Sequence, residues 1–467
     1  MHTKKFPYAR AHLVGIKGVA MAALATYLHD RGVIVTGSDI DDDFPTKYEL
    51  DASHIHIYSG FDGARMQGET KPDVVYYTGA HNGRDNVEVK AAIEGGIPVF
   101  PHGQALGDIM KDSRQIVVSG SHGKTTTSAM IAVLLAQAKL DPSYAIGCGS
   151  ITGLGAAGAF GKSDWFVAEG DEYVTDPGHD QTPRFMWLAP EILVVTNIDY
   201  DHPDAYPSLD AVKAAFIQLQ KKSTTVIFNA DDSNSTVLAK RDTDITYGFS
   251  PAADYRISNV GVGSERMFFT LEERGVSLGE FAIKVPGLHN VANATAAMVA
   301  AHAGGVRWDV LRLALLSFQG TKRRFEKLDS FKGTIFYDDY AHHPAEIMAT
   351  LKAARSWYPD KRIIAVFQPH TYSRTKSLLA EFGTAFTNAD MVITTQIYAS
   401  AREHDTLGID GMTLVRELST HHKDVRFAED RMAVSDVLKE ARGDNDVVIF
   451  MGAGDIFNWE ADILREY

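Results

Sequence analysis

Residues 115–127, QIVVSGSHGKTTT, restrict the possible folds more than any other stretch of this chain. An apolar run enters a glycine turn, and a lysine and three threonines then lead into the apolar segment 129–136. A strand, a tight loop and a helix in that order form the setting of a phosphate-binding loop. Glycines let backbone N–H groups close on phosphates, and the helix N-terminus adds partial positive charge. Gly120, Ser121, His122, Gly123, Lys124, Thr125 and Thr126 form the expected cradle, with Lys124 reaching the terminal phosphates and the Thr125 hydroxyl placed for Mg²⁺. The spacing departs from the usual pattern, because Val118 stands where a glycine is expected. The competing reading is an ordinary strand-to-helix turn carrying a surface lysine.

At 467 residues the chain predicts about three domains. Its 45% apolar and 23% charged residues are those of a soluble globular protein. A net charge of −14 argues against nonspecific nucleic-acid binding, which needs a basic face. No apolar run is long enough to span a bilayer, and residues 6–11, with Pro7 and Arg10, make no signal-peptide core behind the two lysines of residues 1–5. Cys148 is the single cysteine, which excludes an intrachain disulfide and a cysteine metal cluster. The expected compartment is the cytoplasm, with no membrane partner, and the expected state is a monomer or weak homodimer.

Strands alternate with helices along the chain, which predicts α/β architecture with parallel, doubly wound sheets. The expected division is a Rossmann-like N-terminal domain over 1–111, a central P-loop ATPase-type parallel sheet over 112–321, and a C-terminal Rossmann-like domain over 322–467. In the first, strand 12–14 runs into Gly15, Ile16, Lys17, Gly18, Val19, Ala20 and Met21, a helix reaches about 29, and strand 33–35 ends near Ser38 and Asp39. This is a degenerate dinucleotide fingerprint: only Gly15 is in register, and Lys17 and Ala20 take the other glycine places. It predicts a nucleotide or diphosphate at a helix N-terminus. Further strands are expected at 74–77 and 97–100, then at 165–169, 192–196 and 226–229. Antiparallel strands are expected within 265–285 and a helix over 292–302. Strands at 334–337, 362–367, 391–395, 425–427 and 447–451 complete the C-terminal part.

Polar constellations follow several of these strands, where ligands gather in open α/β sheets. Glu169, Asp171 and Glu172 offer the hard oxygens that Mg²⁺ prefers; a solvated acidic turn is the alternative. Asp199, Asp201 and His202 suit a second metal or the orientation of a nucleophile, or else form a helix-capping loop. Asn290 and Asn293 share a helix face that an adenine edge fits, with capping by Asn290 as the plainer reading. Asp338, Asp339, Tyr340, His342 and His343 suit ribose or a cation, or an acidic cap; the paired histidines lack helical zinc spacing. Arg374, in QPHTYSRT, suits a bidentate grip on a carboxylate that lysine cannot make.

In order along the chain, GSHGKTTT, EGDE, TNIDYDH, GLHNVANA, RRF, DDYAHHP and GAGDI resemble the Mur ligase family, ATP-dependent amide-forming enzymes of peptidoglycan synthesis. The resemblance covers essentially the whole chain. It implies ATP and Mg²⁺, with UDP-N-acetylmuramate and L-alanine, or a tripeptide, as the molecules joined through an acyl phosphate. It implies Lys124 and Thr125 on the phosphates and first Mg²⁺, and Glu169 and His202 on a second. Asn290 and Asn293 would contact adenine, Arg324 the γ-phosphate and Asp339 the nucleotide. Tyr340, His342, His370 and Arg374 would border the amino acid, and the Gly15–Met21 stretch, with Ser38 and Asp39, the UDP diphosphate. Lys17, Ala20 and the sequence Asp171-Glu172-Tyr173-Val174 depart from the alanine-adding branch toward the tripeptide-adding one, and 175–184 fits neither. Two rival classes remain: a non-catalytic nucleotide-gated regulator, and a dinucleotide oxidoreductase built on the first βαβ unit.

Overall fold

The computed structural model describes residues 6–467 except 203, 239, 264, 332, 400–402, 404, 442 and 444. The two lysines within 1–5 therefore lie outside the described residues. Three sheets with flanking helices make up most of the chain, within two compact units. The larger unit holds 1–261, 268–283 and 291–319; the smaller holds 262–267, 284–290 and 320–467. No described helix is long and apolar enough to cross a membrane.

In the larger unit, the N-terminal sheet runs His56–Ser59, Ile34–Asp39, Arg10–Val14, Val74–Tyr77, Val99–Pro101, all parallel. The order reverses direction at Arg10–Val14, so the loop after that strand opens into the crevice where such sheets bind ligands. The last strand begins two residues later than the sequence suggests, because Pro98 lacks an N–H and only its carbonyl joins the ladder, accepting from Val75.

The second sheet runs Val276–Ile283, Arg266–Glu273, Tyr255–Gly263, Ile245–Gly248, Thr225–Asn229, Ile192–Val195, Arg114–Ser119, Trp165–Gly170, Ser143–Ile151, Gly155–Ala159. Arg114–Ser119 is parallel to both neighbours, with Ser119 in register with Gly170 on one side and Val195 on the other. Segments far apart in sequence therefore end at one sheet edge. The core strand is buried from Gln115 onward, each buried Val or Ile contributing about 1.5–3 kcal/mol. The expected antiparallel segment is present: Arg274 and Gly275, with φ of 47° and 85°, make the two-residue turn that joins Arg266–Glu273 to Val276–Ile283.

The helix Val19–Asp30 is buried from Met21 through Leu28, on all sides rather than along one stripe. It lies between its own sheet and the hairpin Ser143–Ile151/Gly155–Ala159. Small residues permit this: a Cβ on Gly158 would fall on the carbonyl oxygen of Ala23. Gly158→Val should therefore destabilise the larger unit by about 1–3 kcal/mol, read by urea unfolding; an unchanged midpoint would show that the helix and hairpin part without cost.

The stretch 175–184 that matched no pattern forms a second seam. The hairpin Val174–Asp176/Asp180–Pro183 docks on the short turn Gly83–Asp85 that follows Val74–Tyr77: the Asp176 carboxylate accepts the Arg84 N–H at 2.9 Å, and His179 lies 2.8 Å from Asp85. Gly83, at φ 50°, leaves room for that carboxylate.

In the smaller unit the sheet runs Glu326–Phe331, Thr334–Asp339, Asp446–Met451, Arg362–Phe367, Met391–Thr394, Val425–Phe427. The first pair is antiparallel and the rest parallel. Apolar clusters cover both faces, which is why Asp446–Met451 is buried throughout.

Candidate active site

The phosphate loop follows Arg114–Ser119 and opens the helix Lys124–Gln137. Gly120 and Gly123 have φ of 131° and 83°, conformations that L side chains rarely adopt. No side chain caps the helix at Gly123, so the first turn, with Lys124, Thr125 and half-buried Thr126, retains donors for an anion. The loop is held from beneath by the segment after Ile192–Val195. Asn197 accepts from Ser121 N at 3.2 Å through its carbonyl and from His122 N at 2.9 Å through its amide oxygen. Thr196 Oγ1 and Asn197 Nδ2 donate to the His122 carbonyl at 2.6 and 2.9 Å. The TNIDYDH motif is thus first a scaffold for the loop, a role that strand-end reasoning did not assign to Asn197.

Lys124 Nζ donates to the Gly120 carbonyl at 2.6 Å and reaches the two Glu172 oxygens at 2.9 and 3.2 Å. Burial lowers the lysine's proton affinity, but Glu172, with Asp171 and Glu169, outweighs it and holds the ammonium above its ordinary range. Thr125 Oγ1 donates to Glu169 Oε2 at 3.3 Å, and Glu169 Oε1 accepts from Gly147 N at 2.8 Å. His202 Nε2 lies 3.6 Å from Glu172 and 3.8 Å from Asp201. Among the expected metal residues, Thr125 thus contacts Glu169, and His202 lies beside Glu172. Asp171, Glu172 and His202 place one donor atom each within 4.8 Å of one another. Arg184 pairs with Asp171 at 2.7 Å, and Tyr173 packs edge-on against His202 at 5.0 Å while donating to Asp204 at 2.6 Å.

Asn293 stands against Gly123, where a Cβ would come within 2.7 Å of its amide oxygen. Asn290 does not cap: the helix Leu288–Ala303 begins two residues earlier, and Asn290 Nδ2 donates to the Pro286 carbonyl at 2.7 Å.

In the N-terminal sheet, Gly15 has φ 80° and its N–H donates to Ser38 O at 2.8 Å; Ile16 and Gly18 complete the turn. Asp39 is buried and orders this loop, accepting from Lys17 N at 2.7 Å and Ile40 N at 2.8 Å, with His81 at 3.3 Å. Lys17 Nζ is tied to the carbonyls of Ile40 and Asp42 at 2.7 and 2.8 Å. Val19, Ala20 and Met21 form the first turn of a helix that, like the one after the phosphate loop, has no side-chain cap.

In the smaller unit, Asp338 and Asp339 turn inward rather than capping. Asp339 accepts from Phe325 N and Ala341 N, each at 2.8 Å, and burial, opposed by Arg324, pushes its carboxyl up to about 6. The helix Pro344–Trp357 is capped by His343 in a capping box with Glu346. Arg324 lies 3.7 Å from Glu346 and 5.2 Å over the Tyr340 ring. Tyr340, His342, His370 and Tyr398 form a run of rings at successive separations of 5.2, 5.9 and 5.8 Å. Tyr398 was not foreseen; it joins the group through a bridge to His370. His342 Nδ1 is fixed by the Tyr340 carbonyl at 3.0 Å and Glu346 at 3.3 Å. Arg374 is half-buried on the short helix Tyr372–Ser377, whose first N–H is held by Glu403 at 2.6 Å. The GAGDI motif braces this region: Gln368 donates to Asp455 at 2.6 Å, and a Cβ on Gly454 would enter the Tyr398 ring at 2.8 Å.

A phosphate loop on a parallel sheet, with carboxylates and an imidazole at the adjoining strand ends, defines a nucleotide-binding α/β enzyme. Three family models match: the Mur ligase family catalytic domain over 10–114, the Mur ligase middle domain over 118–301, and the Mur ligase glutamate ligase domain over 323–454. The UDP-N-acetylmuramate–L-alanine ligase of Desulfitobacterium hafniense (strain Y51) is 38% identical over 451 residues, covering 96% of this chain and 97% of that protein. The crystal structure of the UDP-N-acetylmuramate–alanine ligase from Thermotoga maritima matches with a TM-score of 0.83 and 27% identity, covering 98% and 99% of the two chains. A murein peptide ligase from Psychrobacter arcticus shares the fold, with a TM-score of 0.72 at 22% identity and 98% coverage of each chain. The chain belongs to the Mur ligase family.

Proposed function

We propose that this protein is an ATP-dependent ligase that joins L-alanine to the lactyl carboxylate of UDP-N-acetylmuramate, in the cytoplasm, for peptidoglycan precursor synthesis. One observation carries the reading: a phosphate loop, built on Thr196 and Asn197, sets Lys124 among Glu169, Asp171, Glu172 and His202. Full-length relatives named for alanine ligation support the acceptor, whereas the likeness to the murein peptide ligase extends to the fold alone. The proposed domain division remains 1–111, 112–321 and 322–467, and it is supported by separate family models over 10–114, 118–301 and 323–454.

Carboxylate oxygens and an imidazole within 4.8 Å suit a hard divalent cation. Thr125 with Glu169, and His202 with Glu172, are the residues that would hold Mg²⁺, whose charge would offset that of the phosphates when bound. Lys124 neutralises the β- and γ-phosphates, and Arg324 is assigned to the transferred group. The lactyl carboxylate oxygen bonds to the γ-phosphorus as the bridging P–O bond breaks and ADP leaves. The amine nitrogen then bonds to the acyl carbon, the acyl C–O bond breaks, and phosphate departs with the amine proton passed to a base. His342, whose Nδ1 is held by Tyr340 O and Glu346, is assigned to take that proton. An acyl phosphate hydrolyses readily, so residues about it must exclude water.

Arg374 is assigned to the alanine carboxylate. Arg374→Lys should raise KM for L-alanine about tenfold or more and leave KM for ATP nearly unchanged, because lysine cannot reproduce the bidentate fork. Steady-state kinetics with both acceptors tests this. Efficient ligation of a tripeptide, with L-alanine inert, would replace the acceptor. ATP binding with no phosphate release on adding both substrates would favour the nucleotide-gated regulator.

A further inference from the structure

Lys124 and Glu172 are both withdrawn from water, their side chains 15% and 2% exposed. The ammonium has three N–H groups, and four oxygens surround it: the Gly120 and Ser121 carbonyls at 2.6 and 3.2 Å and both Glu172 oxygens. An ammonium saturated in this way cannot also neutralise a phosphate. A nucleotide must draw it off Glu172, and that leaves a buried carboxylate without its cation, which is strongly unfavourable. The same carboxylate shares a donor cluster with Asp171 and His202 that fits a divalent cation. With Lys124 in place, a cation there would meet a like charge across one carboxylate.

We propose that Glu172 is an exchangeable acceptor, bound to Lys124 while nucleotide is absent and passed to a divalent cation, with His202, once phosphates take the lysine. The proposal rests on the ligase reading and adds to it a physical coupling between the nucleotide and cation sites. Because such coupling is reciprocal, each ligand must favour the other by the same factor.

Two measurements on the full chain test this without turnover. In nucleotide-free protein, Mn²⁺ titrated by electron paramagnetic resonance should bind Lys124→Met about tenfold or more tightly than wild type, and Lys124→Met/Glu172→Gln should return to the wild-type value. In EDTA, calorimetry should show Glu172→Gln binding metal-free ADP about tenfold more tightly than wild type, since Lys124 no longer leaves a partner behind. The second measurement stands even where the lysine variant fails to fold. Wild-type protein that binds MgATP while the variants show neither shift overturns the exchange alone. Wild-type protein that binds no nucleotide overturns the ligase reading beneath it.

Discussion

Lys124→Ala should fold and lose amide formation by about 10³-fold, the scale of removing one preorganised charge from the transferring group. The loss should appear in phosphate release as well as in product, because Lys124 acts before the amine does. Glu172 would then be buried without its ammonium, with His202 3.6 Å away. Lys124→Ala/Glu172→Gln should therefore recover any stability lost in the single variant while remaining inactive. Near-normal turnover in purified Lys124→Ala would remove the phosphate-loop assignment.

The second large effect is on stability and lies one residue before the arginine assigned to phosphate. Arg323 is 6% exposed, donates to Asp338 at 3.0 Å and to the Gly452 carbonyl at 2.6 Å, and lies over the rings of Tyr340 and Phe457 at 5.1 and 4.7 Å. Burial raises the carboxyls of Asp338 and Glu460, which interact directly, so the arginine is the compensating charge for a buried acid pair. Arg323→Ala should destabilise the smaller unit by about 3–5 kcal/mol. The defect has a pH signature. Arg323 opposes the effect of burial on Asp338, so removing it raises that carboxyl further above its unfolded value than in wild type, and the penalty grows as pH rises, by up to about 1.4 kcal/mol per unit. Urea unfolding should show a larger difference from wild type at pH 8 than at pH 5. An equal difference at both would mean that lost packing, rather than charge, accounts for it.

Much of the architecture was legible because strand and helix periods are local. The strands Arg362–Phe367 and Val425–Phe427 have the bounds that the sequence predicts. Edges shifted where a single residue changed the hydrogen bonding, as at Pro98. The segment 175–184 was opaque because its partners, Arg84 and Asp85, are about ninety residues away and no local pattern encodes that contact. The same limit applied to the acidic motif Asp338-Asp339. Its residues read equally as a ligand or a cap, and only the fold showed one paired to Arg323 and the other holding two backbone N–H groups.

Taken alone, the chain's order of motifs determined the α/β class, the strand–glycine loop–helix form at Lys124 and Thr125, and membership of a ligase family, since each rests on residues adjacent in sequence. Tertiary structure alone decided that Asn197 supports the loop, that Glu172 rather than solvent faces Lys124, and that Tyr398 closes the ring series with His370. The physical reason is that parallel strands bring their C-terminal ends to one edge, so charge partners are set by sheet order and register, which composition and spacing do not carry.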